Sequence, residues 1–136
     1  MIYEESSFSK NYGNEQIFTH LLNTHYSSPK GFSFETSSRY YTPIINKEAP
    51  ETTNVINKVY QHISTLKNTY KTTNNLFVLF GEDFTSENAF SLYENLDNLI
   101  DLMNENPAYN KTYVLKYSTP GDYIKSLKKY QKLALQ

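Results

Sequence analysis

Leu76-Phe77-Val78-Leu79-Phe80-Gly81-Glu82-Asp83-Phe84 is the stretch on which the reading of this chain turns. Five consecutive apolar residues end at a glycine, and two carboxylates follow at once. Such a run, closed by a turn residue, is expected to be a strand buried on both faces, as in parallel sheets. Upstream, Val55, Ile56, Val59, Tyr60, Ile63, Leu66 and Tyr70 recur at helical spacing, behind Thr52 or Thr53 as the cap. Downstream, Thr85 or Ser86 would cap a second helix with Ala89, Leu92 or Tyr93, Leu96, Leu99, Ile100 and Met103 on its apolar stripe. Thr112-Tyr113-Val114-Leu115-Lys116-Tyr117 is the next strand expected. Thr119-Pro120-Gly121-Asp122 then starts a third helix, with Thr as N-cap, Pro at the first position and Asp three residues after the cap. Ile124, Leu127, Tyr130 and Leu133 form its face. Strands alternating with helices predict an α/β fold: a partial parallel sheet or barrel joined by right-handed crossovers. Two such strands need further neighbours to cover their edges, so a larger α/β sheet is expected.

Further out, the order weakens. Residues 1–15 are polar and are expected to be a loose lead-in, leaving residues 16–136 as the domain. Between residues 16 and 50, short apolar pieces (Ile17-Phe18, Leu21-Leu22, Phe32-Ser33-Phe34, Tyr40-Tyr41, Ile44-Ile45) are broken by Pro29, Gly31, Pro43 and Pro50. Long irregular stretches inside a compact domain are usually functional or lean on neighbours. There is no internal repeat, and the frequent Asn residues are dispersed rather than clustered.

Composition narrows the function. The 136 residues carry 13 Lys+Arg and 14 Asp+Glu, with 13 Tyr, 8 Phe and no Cys or Trp. The length suits one domain, and the aromatic content argues against wholesale disorder. Near-neutral charge does not suit a strongly basic nucleic-acid binder. Without cysteine there is no disulfide scaffold, no thiolate zinc site and no thiol nucleophile. No apolar run reaches the roughly 18 residues needed to span a membrane. Residues 1–7 have neither the basic nor the apolar region of a signal peptide.

Chemistry is most expected at Glu82 and Asp83. Ligands bind at the carboxyl ends of strands in open α/β sheets and barrels. A carboxylate fixed there, with Phe80 and Phe84 lowering the local polarity, can serve as a general acid. The competing reading is that Glu82 or Asp83 caps the next helix or stands in water. His20 and His25 are five apart in irregular chain, a poor spacing for a metal pair, and His62 is expected on the polar side of its helix. Four glycines leave no phosphate-binding loop, and no G-x-S-x-G occurs. Lys125, Lys128, Lys129 and Lys132 make the last helix basic, while Glu87, Glu94, Asp97, Asp101 and Glu105 make the middle one acidic. Two solvated, mutually attractive faces are expected rather than a nucleic-acid interface. Asn110-Lys111-Thr112 is the only N-glycosylation sequon.

Three strings together carry a family resemblance. Leu79-Phe80-Gly81-Glu82-Asp83-Phe84-Thr85-Ser86-Glu87-Asn88-Ala89, then Asn95-Leu96-Asp97-Asn98-Leu99-Ile100, then Tyr117-Ser118-Thr119-Pro120, resemble the lysosomal-type class II α-mannosidases of glycoside hydrolase family 38. Gln16-Ile17-Phe18-Thr19-His20 and Pro29-Lys30-Gly31-Phe32-Ser33-Phe34-Glu35 resemble them too, so the likeness covers residues 16 to 130. It implies an interior section of the N-terminal catalytic domain of an enzyme that hydrolyses terminal α-mannosyl linkages of glycans with retention. It also implies a zinc cofactor, two carboxylates and a lysosomal or secretory-pathway setting.

The Asp of the family's G-x-D-F string is its general acid/base and corresponds to Asp83. The family's His-x-Asp zinc pair, its nucleophile Asp and its downstream zinc His match nothing in this sequence, so no metal ligand is assigned. Ser86 and Leu92 replace the usual Tyr and Trp, Ser33 replaces the Cys of animal members, and Thr72-Thr73-Asn74-Asn75 is one residue longer. The expectation is therefore a piece that needs the rest of the catalytic domain for stability and is inactive alone. The alternative is a non-enzymatic carbohydrate-binding or interaction module derived from such an enzyme.

Overall fold

The computed structural model describes residues 2–4, 16–44 and 46–134, with residues 2–4, 16–18 and 130–134 described in backbone only. Residues 5–15 of the expected lead-in, Ile45, and the side chains of Tyr130, Lys132 and Leu133 lie outside that description. The element order is β1 (Ile2–Glu4), β2 (Gln16–Phe18), α1 (Pro50–Thr69), α2 (Ala89–Glu105) and α3 (Pro120–Ala134).

The three helices lie where the apolar spacing puts them. α1 buries Val55, Ile56, Val59, Ile63 and Leu66, and α2 buries Leu92, Leu99 and Met103. Their starts differ in detail from expectation. α1 begins at Pro50, behind Ala49 in extended conformation and with no side-chain cap. Proline at the first helical position brings its own fixed φ and lacks an N–H to satisfy. Thr52 therefore falls inside the first turn, buried, and its hydroxyl donates to the Asn46 carbonyl at 2.7 Å. α2 is capped by Asn88, whose Oδ1 accepts from the Ser91 N–H at 3.2 Å, rather than by Thr85 or Ser86. At α3 the expected capping box is present: the Asp122 N–H donates to Thr119 Oγ1 at 3.2 Å, and that hydroxyl donates to Asp122 Oδ2 at 2.9 Å.

The parallel sheet or barrel is corrected. Among the described residues the one sheet is a two-stranded antiparallel ribbon of β1 and β2, pairing Ile2 with Phe18, Tyr3 with Ile17 and Glu4 with Gln16. Residues 76–80 and 113–117 run without a strand ladder. A buried backbone group needs a partner, but that partner can be a side chain. Asn104 on α2 acts in this way: its Nδ2 donates to the Leu115 carbonyl, and its Oδ1 accepts from the Leu115 N–H, both at 2.8 Å. The primary amide thus offers the donor and acceptor pair that a neighbouring strand would have offered. The Gly81 N–H similarly donates to Ser28 Oγ at 2.8 Å.

The core is helical and aromatic. Phe32, Phe34 and Ile44 from the irregular stretch join the buried faces of α1 and α2, and half-buried Leu76, Val78, Phe80, Tyr113 and Leu115 pack against them. Alternate residues of the apolar run diverge, for Phe77 stacks on Tyr123 of α3 at 5.0 Å between centroids. Ile44 is pinned at both backbone groups by α2. Its N–H donates to Asn95 Oδ1 at 2.5 Å, and its carbonyl accepts from Asn98 Nδ2 at 3.0 Å. The end of the long irregular stretch is thus tied to asparagines of the second helix.

Candidate functional site

The apolar run delivers its carboxylates into a tight loop, residues 81–86. Gly81 has φ +125°, and Phe84 and Ser86 follow at φ 56° and 70°. L-residues avoid that region, at a cost of about 1–3 kcal/mol each where the surroundings impose it. Several contacts fix the loop. Ser28 Oγ accepts from the Gly81 N–H. Thr85 Oγ1 accepts from the Glu82 N–H at 2.9 Å and donates to the Glu82 carbonyl at 2.8 Å. Glu35 Oε2 accepts from the Ser86 N–H at 2.8 Å.

Asp83 stands exposed at the crest of this loop, and the Tyr26 hydroxyl donates a hydrogen bond to its Oδ1. The carboxylate holds that phenol above its ordinary pKa, chiefly through this hydrogen bond. Tyr26 in turn lies against the His25 ring, 4.2 Å between centroids. The expected low-polarity surround does not form. Phe84 is 97% exposed, because its positive φ turns it outward, and Phe80 goes inward to stack on Phe34. Glu82 is exposed beside Asp83. Neither carboxylate caps α2, since Asn88 does.

The histidines separate. His20 sits between the rings of Tyr70 and Tyr123, at 5.3 and 5.4 Å, and burial lowers its pKa. The His25 ring has Nδ1 3.1 Å from the Tyr26 carbonyl. His62 is half-buried rather than solvated, and burial lowers its pKa as well. Among the described residues no three of His, Cys, Asp and Glu converge as metal ligands would. The described donor set therefore does not fit the zinc ion that the resemblance implies.

Among the described residues no ion pair joins the basic face of α3 to the acidic face of α2. Lys125 pairs with Asp122 in the same helix at 3.6 Å, and Asp97 accepts from the Tyr117 hydroxyl at 2.8 Å. Asn110, the sequon residue, uses its Nδ2 to donate to the Asn104 carbonyl at 2.9 Å. The sequence reading missed Tyr26, Ser28 and Glu35 as parts of the loop's support. Their signal was faint: a polar and aromatic run around Pro29, more than fifty residues from the carboxylates it serves.

A carboxylate and a phenol thus meet on a loop pinned by side chains. Residues 5–134 match the N-terminal domain of the glycosyl hydrolases family 38, and the chain belongs to that family. It is 36% identical over 111 residues to a lysosomal alpha-mannosidase of Dictyostelium discoideum, a match covering 80% of this chain and 11% of that protein. To alpha-mannosidase B of the same organism it is 32% identical over 126 residues, covering 82% of this chain and 12% of the relative. To the human lysosomal alpha-mannosidase it is 28% identical over 114 residues, covering 83% and 11%. The chain thus spans about an eighth or less of the length of these relatives. No solved structure matches it.

Proposed function

We propose that residues 16–136 are part of an α-mannosidase catalytic domain that hydrolyses terminal α-mannosyl linkages with retention, with Asp83 as its general acid/base. The observation that carries this reading is the Asp83 carboxylate itself, exposed on a strained, pinned loop and oriented by Tyr26. Tyr26 occupies Oδ1. Oδ2 then carries the mobile proton. It gives that proton to the glycosidic oxygen as the C1–O bond breaks, and the same oxygen takes a proton from the water that releases the sugar. Retention needs a second carboxylate about 5–5.5 Å away as nucleophile. That group and the zinc ligands are proposed to come from polypeptide outside residues 1–136. By its likeness to proteins named lysosomal, the product is assigned to the lysosomal or secretory pathway.

The test is Asp83→Asn in the protein that carries this segment, assayed on mannosides of poor and good leaving groups. The expected loss is about 100-fold or more with a poor leaving group, and much less with an activated phenolate that departs unprotonated. Equal turnover of wild type and variant on the poor leaving group removes Asp83 from the chemistry. Mannoside binding without hydrolysis by the wild type favours the carbohydrate-binding module instead.

A further inference from the structure

We infer that Glu35 is a positioning residue for Asp83, acting through Ser86; the inference rests on the acid/base role proposed above. Segments 32–35 and 80–86 meet at both ends of the carboxylate loop. Phe34 stacks on Phe80, with centroids 5.9 Å apart and planes 3° from parallel. Glu35 Oε2 then accepts from the Ser86 N–H at 2.8 Å. The aromatic pair fixes the entrance of the carboxylate loop, and the ion–amide bond fixes its exit.

The exit needs fixing. Ser86 is exposed and holds a φ of 70°. A hydrogen bond to a charged acceptor is roughly twice as strong as a neutral one, and here it reaches from a distant part of the chain. Glu35 is itself held in place. Its N–H donates to Ser33 Oγ at 3.1 Å, and Phe34 beside it is buried. Its second oxygen, Oε1, is buried and has no hydrogen-bond partner among the described residues. A glutamate that served only packing would not keep a bare buried oxygen, because that carries a desolvation penalty. The side chain keeps its place because Oε2 closes the loop. Glu35 bonds the loop at Ser86 and not at Asp83, so the effect inferred for it on turnover is one of placement.

The experiment compares Glu35→Ala, Glu35→Gln and Asp83→Asn in the protein that carries this segment. Turnover per folded molecule is read together with hydrogen–deuterium exchange of the peptide spanning residues 81–88. Glu35→Ala should lower kcat by about 10- to 100-fold with KM little changed, and should speed exchange at Ser86. Glu35→Gln keeps an acceptor for the Ser86 N–H and should restore most of both. Unchanged kcat in Glu35→Ala, or unchanged Ser86 exchange, overturns the inference. If Asp83→Asn is fully active, the acid/base reading fails, while exchange at Ser86 still decides whether Glu35 holds the loop.

Discussion

Removing the Asn95 side chain should be among the costliest single changes in this chain. Asn95 is 3% exposed and Ile44 2%. Its Oδ1 accepts from the Ile44 N–H, and its Nδ2 donates to the Ser91 carbonyl at 2.7 Å. Asn95→Ala leaves the Ile44 N–H buried and unpaired, a penalty of about 1–3 kcal/mol, and loses one further hydrogen bond of about 1 kcal/mol. The sum is about 3 kcal/mol. With a urea m-value of about 2 kcal/mol/M, the unfolding midpoint should drop by about 1.5 M. Unfolding can be followed by circular dichroism in the protein that carries this segment. Asn95→Asp sharpens the test. It keeps the acceptor for Ile44 but sets a carboxylate against the Ser91 carbonyl. Burial raises the folded-state pKa of such a group above its unfolded value, so its penalty grows as pH rises and shrinks toward about pH 4. A midpoint shift below about 0.5 M for Asn95→Ala, or an Asp variant that gains stability with rising pH, would refute the buried-amide account.

Gly81→Ala should destabilise by about 1–3 kcal/mol through backbone strain, since its φ is +125° and a β-carbon there meets only Thr85 Oγ1 at an ordinary 3.5 Å; thermal unfolding reads this, and an unaffected melting temperature argues against the strain. Burial depresses the His62 pKa, so the unfolded chain takes up the proton first on acidification. The stability owed to neutral His62 is therefore present above about pH 6.5 and is lost as pH falls further, and urea midpoints measured from neutral to acid pH should fall less steeply in His62→Gln. The Tyr26 phenol is raised chiefly by its bond to Asp83, so Asp83→Asn should let one tyrosine titrate closer to the ordinary value in an ultraviolet pH titration. Identical titrations in the two proteins would count against that contact.

Periodicity located the helices because apolar spacing at 3.6 residues per turn has few other meanings. The α3 capping box was equally plain, since Thr119, Pro120 and Asp122 each suit one position only. The two apolar runs misled for a definite reason. Leu76 to Phe80 and Tyr113 to Tyr117 have the composition of strands, but composition does not say who supplies the hydrogen bonds. Asn104 and Ser28 supply some of them, and their partners, Leu115 and Gly81, are eleven and fifty-three positions away. The candidate site was legible only in part. Asp83 stood out as a carboxylate after a buried run, whereas Tyr26 and Glu35 become meaningful only once the loops meet. The outward turn of Phe84 was hidden because a positive φ at a phenylalanine is set by its loop, not by its own preference.

The amide clasp at Leu115 bears on solubility. Tyr113-Val114-Leu115-Lys116-Tyr117 is rich in β-formers, and Val114 is 75% exposed. Such segments zip onto copies of themselves when their main-chain edge lies open. With both polar groups of Leu115 already taken, a second molecule finds no partner at the middle of the run on that edge, and Lys116 adds a charge that discourages stacking. Asn104 therefore closes that one edge to a second chain as well as tying the run to α2.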